Sequence, residues 1–122
     1  MSHVTNVLLS VMYADMPWVD EFSKWLEEEC PHSDPRDTWA GCGSLNLISG
    51  PDHNWGGYKN PECYVYAGTL NRADLVAVVA QFSTVRWRFP ENAQLLLMDQ
   101  EEYYFRVWMI SEGRPVQYVP GR

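Results

Sequence analysis

Residues 4–26 read VTNVLLSVMYADMPWVDEFSKWL, an aliphatic run followed by apolar residues at helical spacing. The β-branched and aliphatic residues of 4–13 predict a largely buried strand. Asp15 suits the N-cap of a helix, and Pro17 suits its first turn. The apolar residues after them recur at spacings of three and four, which predicts an amphipathic helix that ends before Pro31. The chain is therefore expected to open with a strand and a helix.

The rest of the chain predicts several further strands and a second helix. Strands are expected over 45–48, 62–70, 94–99, 103–110 and 116–119, and Asn71 is expected to cap a helix with an apolar stripe over 75–82. The order strand, helix, strand, strand, helix, strand predicts an α+β fold with the ferredoxin-like βαββαβ arrangement. In that arrangement two helices cover one face of an antiparallel sheet, and here a C-terminal hairpin strand is added.

Composition limits the class of protein. A chain of 122 residues with 46% hydrophobic residues supports one domain spanning 1–122, and its 20% charged residues do not fit a disordered protein. Nine basic and sixteen acidic residues leave a net charge of −7, which repels a phosphate backbone. Double-stranded nucleic acid is therefore not an expected partner.

The N-terminal residues and the cysteines indicate a compartment. The apolar run 7–12 lacks a preceding basic region and is soon followed by acidic residues and a proline, so neither a signal peptide nor a membrane span is expected. Cys30, Cys42 and Cys63 are an odd number without a CxxC spacing, which disfavours a disulfide framework. We therefore expect reduced thiols, a cytoplasmic location and no membrane partner.

Aromatic residues are more numerous than two short helices can cover. The chain has six tryptophans and seven tyrosines. With the helices on one face of the sheet, the other face is expected to carry Tyr64, Tyr66, Tyr104 and Trp108. Exposed aromatic patches usually mark an interface, so a homodimer through this face is expected. Alternatively, the long loops and the C-terminal strand fold over the same face.

The loop 49–61 is long for so small a domain and retains Trp55 and Tyr58, which favours a functional role. Together with Lys59, these residues and the tetrad RWRF at 86–89 could form a pocket that stacks a planar or anionic ligand. Arginines near the C-terminal end of a helix also suit the helix dipole, so capping explains the tetrad equally well.

Two constellations could carry chemistry. A Gly-Cys-Gly segment places Cys42 in mobile backbone, and His53, eleven residues later, could lower the pKa of its thiol. A transition-metal site could draw on Cys30, His32, Asp34 and Asp37. Ordinary loop residues and turn formers explain both groups. No catalytic residue, metal or cofactor is therefore assigned.

Acidic residues cluster at two places. Residues 27–29 are all glutamate at the end of the first helix, and Asp99, Glu101 and Glu102 form a second group at a predicted hairpin. Each group is typical of a solvated face. Together they could present an acidic patch to a basic partner.

Two segments carry a resemblance to other proteins. WRFPENAQLLLMDQEEYYFR at 87–106 and VLLSVMYAD at 7–15 resemble small uncharacterised proteins of actinobacteria and their phages. The resemblance implies a cytoplasmic accessory protein, in a bacterial or phage-infected cell, that binds and inhibits a host component. It assigns no functional residue.

The leading hypothesis is a dimeric, non-enzymatic binding or inhibitory protein that acts on a host protein through an aromatic and acidic surface. Its expected ligand- or partner-binding residues are His53, Trp55, Tyr58, Lys59, Trp87, Arg88 and Trp108. The alternative is a dimeric, barrel-like enzyme or small-ligand protein that binds a nucleotide-like or aromatic molecule in a cavity over the sheet. His53 and Arg88 would supply the polar groups of that cavity.

Overall fold

The computed structural model of the chain describes residues 3–50 and 55–118, in which one antiparallel sheet supports two helices. The strands are β1 (Val4–Val11), β2 (Asn46–Leu47), β3 (Tyr64–Asn71), β4 (Gln94–Asp99), β5 (Arg106–Ser111) and β6 (Arg114–Tyr118). The helices are α1 (Met16–Glu28) and α2 (Leu75–Thr84). The strand order is β2-β3-β1-β4-β5-β6, and every neighbouring pair is antiparallel.

The burial pattern of the central strand β1 distinguishes the two faces of the sheet. Its burial alternates along its whole length, and Thr5, Val7, Leu9 and Val11 are the buried residues. The three apolar side chains among them belong to the core that α1 and α2 complete with Val19, Phe22, Leu26, Val78, Val79 and Phe82. Burial of each such large apolar side chain contributes about 1.5–3 kcal/mol. The other residues of β1 point away from the helices.

Gly68 on β3 allows the segment before β2 to pass close to the sheet. A Cβ atom at this position would collide with the carbonyl oxygen of Ser44 and press on the side chain of Leu45. Leu45 is buried in the core, and its backbone N–H donates to the hydroxyl of Ser23 on α1 at 2.9 Å. The glycine therefore lets 44–45 close one edge of the core.

The starts of both helices differ from the sequence prediction. Asp15 occupies the N-cap position of α1 but makes no capping hydrogen bond with its side chain. The N-cap of α2 is Asp74 and not Asn71, because the chain first turns at Arg72, where φ is 61°. The Asp74 carboxylate accepts hydrogen bonds from the backbone N–H groups of Val76 and Ala77.

The fully buried carboxylate of Asp15 instead joins two distant parts of the chain. It accepts hydrogen bonds from the backbone N–H groups of Arg88, at 2.7 Å, and Phe89, at 3.0 Å. Hydrogen bonds to an ionised acceptor are stronger than neutral ones. Asp15 therefore fixes the turn that leads from α2 into β4.

The expected α+β class, with an antiparallel sheet and two helices, is confirmed. Its six-strand order differs from that of a four-strand sheet because β5 and β6 extend the sheet beyond β4. The expected strand 103–110 begins only at Arg106, and β6 begins at Arg114, earlier than expected. Within the described residues, no helix has the length and apolar character needed to cross a bilayer.

We expect Asp15→Ala to lower the free energy of unfolding by about 3 kcal/mol, because the backbone N–H groups of Arg88 and Phe89 would lose their buried carboxylate acceptor. Urea denaturation followed by tryptophan fluorescence measures this change. Asp20→Ala is the matched control on the exposed side of α1 and should change stability by less than about 0.5 kcal/mol. Equal stability of the two variants would contradict the role assigned to Asp15.

Candidate partner-binding surface

The sheet face opposite the helices, called the open face here, carries an apolar row that crosses five strands. The strand register pairs Leu8 with Ala67 on one side and with Leu96 on the other. It continues from Leu96 to Val107 and then to Tyr118. The first four of these residues are half-buried and Tyr118 is exposed. Because a solvated sheet face is normally polar, this apolar row marks a candidate contact surface.

The β4–β5 loop, residues 100–105, exposes three aromatic rings, of which Phe105 lies at the border of the open face. Tyr103 is 84% exposed, Tyr104 54% and Phe105 38%. Phe105 also lines a shallow groove on the open face together with Leu8 and Met98. The loop and the apolar row therefore form one continuous region.

The backbone of this loop is held in an uncommon conformation. Glu101 and Tyr103 have φ angles of 69° and 63°, in the left-handed region that side chains other than glycine rarely adopt. An ion pair closes the loop, because Arg106 Nη2 lies 2.7 Å from Glu102 Oε2. The Arg106 guanidinium also lies over the ring of Tyr104, and it lowers the pKa of the Glu102 carboxyl through their hydrogen bonds. The aromatic rings are thus presented on an ordered loop.

The expectation of an aromatic open face is wrong for most of the residues named. Tyr66 lies opposite Leu9 and is buried on the helix side, and Tyr64 and Trp108 also pack against the core. Tyr104 belongs to the loop and not to a strand. In strands with apolar residues on both faces, a shift of one residue exchanges the faces, so alternation alone cannot assign them.

The expected site residues are divided between the core and the surface. Trp87 is buried, and its ring nitrogen donates to the carbonyl oxygen of Phe82 at 2.9 Å. Its ring therefore offers no surface to a partner, contrary to the expectation. Arg88 is exposed, while its backbone is held by Asp15. Trp108 lies on the helix side of β5 and lines a cleft beside α2.

The loop residues predicted from the sequence remain on the surface. Trp55 is partly exposed and donates from its ring nitrogen to the carbonyl oxygen of Ile48 at 3.1 Å. Tyr58 is fully exposed and Lys59 is exposed. This segment is anchored beside β2, whereas Trp87 packs against α2. These hydrogen bonds hold Trp55 and Trp87 at different elements and do not bring them into the expected common pocket. His53 lies outside the described residues.

Sequence reasoning missed the aliphatic residues of the open face. The signal for them was present in 94–99, where Leu95, Leu96, Leu97 and Met98 follow one another without a polar residue. Such a run is typical of a strand that is covered on both faces.

Cys42 is unsuited to nucleophilic chemistry in this structure. Burial raises the pKa of its thiol, and Cys42 Sγ lies 3.5 Å from the carbonyl oxygen of Cys30. Burial also raises the pKa of the Cys30 thiol. Both residues belong to the hydrophobic core, which is the common role of buried cysteine.

The histidine and aspartates considered for a metal site already have hydrogen-bond or ion-pair partners within the loop 31–41. His32 Nδ1 lies 2.8 Å from Asp37 Oδ2, and Nε2 lies 3.0 Å from the carbonyl oxygen of Gly41. Asp34 pairs with Arg36. Among residues 3–50 and 55–118, no group of three or more His, Cys, Asp or Glu side chains is placed to hold a metal ion.

His32 ties the loop 31–41 together in its charged form, since both ring nitrogens face acceptors. The hydrogen bonds to Asp37 and then to Gly41 raise the pKa of His32, while Arg72 opposes this shift. A raised pKa in the folded state means that the stabilisation is fully present below the unfolded value of about 6.5 and is lost as the pH rises through the folded pKa.

We therefore expect His32→Gln to destabilise the protein more at about pH 5 than at about pH 9, where wild type also lacks the charged ring. Urea denaturation of both proteins at the two pH values measures the difference. As a control, Asp37→Asn should lower the pKa of His32, followed by NMR of its ring protons. A destabilisation that is the same at both pH values would contradict the charged form.

Comparison with known proteins adds no family to this geometry. No protein-family model, curated protein or solved structure matches the chain. The resemblance of 87–106 and 7–15 to actinobacterial and phage proteins stays a prediction. The candidate site is therefore defined by its own chemistry: an apolar row, a neighbouring loop of exposed rings and acidic residues at the same loop.

Proposed function

We propose that this chain is a non-enzymatic binding protein in which the apolar row contacts a second copy of the chain and loop 100–105 engages a partner protein. The observation that carries the proposal is the apolar row, which runs from Ala67 to Tyr118 and adjoins the exposed ring of Phe105, while the same loop exposes Tyr103. Buried apolar area contributes roughly 25 cal/mol per Å², and large aromatic residues dominate the energy of many interfaces.

The chemistry of the surface favours a basic partner. Glu101 is exposed beside Tyr103, Glu102 and Asp99 lie at the same loop, and the whole chain carries a net charge of −7. Such a field increases the rate of association with a positively charged surface. The proposal includes a host protein as the target and a cytoplasmic location, both of which the resemblance at 87–106 supports.

We also propose a homodimer in which the open faces of two copies pack against each other. Leu8 and Leu96 support this arrangement, because they are neighbours on the two middle strands of the sheet. A two-fold axis near this pair would place the apolar rows of both copies in one interface, with the sheets about 10 Å apart. Loop 100–105 would then lie at the rim, where its rings can contact a partner.

The fold belongs to this proposal as well. We infer that β2-β3-β1-β4 and the two helices are a ferredoxin-like unit to which the hairpin β5–β6 is added. The antiparallel pairing of β1 with both β3 and β4 supports it. The added hairpin widens the open face by two strands and brings Val107 and Tyr118 into the apolar row.

We expect Leu96→Asp to weaken dimerisation roughly 30-fold or more, because it places an unpaired charge at the centre of the interface, at a cost of about 2 kcal/mol or more. Sedimentation velocity over a range of concentrations measures the dimer constant. Thr84→Asp adds the same charge at an exposed position of α2, on the other side of the sheet, and should leave the constant unchanged. A monomeric wild type, or equal constants for the two variants, would overturn the dimer.

We expect Tyr103→Ala and Glu101→Lys to reduce partner capture while the protein stays folded, since the first removes an exposed ring and the second reverses the charge beside it. Immobilised wild type and variants are incubated with bacterial lysate, and retained proteins are quantified by mass spectrometry. Tyr58→Ala removes an equally exposed ring from the other loop. A retained protein unaffected by the loop 100–105 variants, or lost equally with Tyr58→Ala, would exclude that loop as the contact.

A further inference from the structure

A cleft lies on the helix side of the sheet, between α2 and the hairpin β5–β6. Its volume is about 490 Å³, which is within the range of small-molecule sites. Val76, Val79 and Ala80 of α2 form one wall, and Trp108 and Pro115 form the opposite wall. The cleft lies on the other side of the sheet from the apolar row, and at its charged end it shares Glu102 with loop 100–105.

The walls of the cleft favour an apolar ligand body. Val76 is 81% exposed although it lies on a helix whose other apolar residues are largely covered. Trp108 is half-buried, so part of its ring packs against the core and part faces the cleft. A flat aromatic or branched hydrocarbon group between these walls would remove both side chains from water.

One end of the cleft is charged. Asp99, Glu102 and Arg106 meet there, so two carboxylates face one guanidinium. Arg106 already donates to both carboxylate oxygens of Glu102 and to the hydroxyl of Tyr104. The carboxylate of Asp99 accepts from Thr5 at 2.9 Å and lies 2.7 Å from a ring nitrogen of His3.

The electrostatics of that end favour a cation over an anion. The guanidinium of Arg106 is paired with Glu102, and the carboxylate of Asp99, which pairs with His3 and accepts from Thr5 through Oδ1, adds a second negative charge. An anionic ligand would have to displace Glu102 from Arg106 and would also face Asp99. An ammonium group meets an excess of negative charge in this chain, whose net charge is −7.

We propose that the cleft binds a small organic amine, with its aromatic or branched hydrocarbon body between α2 and Trp108 and its ammonium group towards Asp99 and Glu102. This site goes beyond the proposed protein-binding function and does not depend on it. No covalent step is involved.

Three probes of nearly equal size test the ligand class: 2-phenylethylamine, 2-phenylethanol and phenylacetate. Titration of the isotope-labelled protein by NMR gives affinities and locates the site. The amine should bind most tightly, with the largest shifts at the amides of Val76 and Val79 and the indole of Trp108. Phenylacetate binding as tightly as the amine would overturn the charge preference, and shifts centred elsewhere, or no shifts, would overturn the site.

Two variants of the same ion pair separate charge recognition from structural damage. Glu102→Gln should weaken binding of the amine by roughly two- to fivefold, the size expected for one partly exposed charge pair, whereas Arg106→Gln should strengthen it. Both substitutions break the same salt bridge, so a merely structural effect would change the amine affinity in the same direction. That outcome would contradict the proposal.

A substitution that fills the cleft tests whether the amine binds there. Ala80→Trp places a large ring in the cleft from an exposed position on α2 and should abolish binding of the amine. Thr84→Trp adds the same ring one turn later, at an exposed position outside the cleft, and should bind as wild type does. If Ala80→Trp binds like wild type, the cleft is not the site. The lysate capture experiment with Tyr103→Ala measures protein binding and not amine binding. The protein-binding proposal and the amine-binding proposal can therefore fail independently.

Discussion

The sheet is wider than the helix layer that covers it, and both candidate surfaces depend on this mismatch. Six strands about 4.8 Å apart span roughly 24 Å between the outer strand axes, whereas the axes of two packed helices lie about 10 Å apart. The helices close the core over β3, β1 and β4. The hairpin β5–β6 extends past this region, with β6 in contact with α2, and a cleft remains between them. On the opposite side, none of the residues that the structure describes forms a helix over the strands, and an apolar row is left partly exposed.

Asp15 links the start of α1 to the turn that precedes β4. Its buried carboxylate holds the backbone of 88–89, which lies more than seventy residues away in sequence. The same turn buries Trp87 beneath α2, where its ring packs against Phe82 with 5.8 Å between ring centroids. The last residues before β4 are thereby fixed, so that Leu95 and Leu97 enter the core beside β1.

Local sequence patterns predicted most helices and strands. The burial of single side chains and the face that each strand residue occupies depend on long-range contacts, which the sequence alone does not show. The strand at 4–13, the first helix and the aliphatic strand at 94–99 follow from periodicity and composition, and so does the α+β class. Trp87 is buried against Phe82, next to the turn that the distant Asp15 holds, whereas RWRF read alone allowed a ligand pocket or a helix cap. The faces of 64–70 and 106–111 were open to either assignment because both faces are largely apolar. A turn was expected at 100–102, but its extension to 105 was missed because the left-handed residues of the loop, Glu101 and Tyr103, are not glycines.

The two margins of the sheet are poor templates for further strands. At one margin β2 has only two residues, and at the other β6 carries Pro115, which has no N–H group to donate. Addition of a strand from a second chain is therefore disfavoured at both ends, and growth into a continuous fibril by lateral pairing is suppressed. A protein with an apolar sheet face can in this way associate in a limited, closed form while resisting open-ended polymerisation.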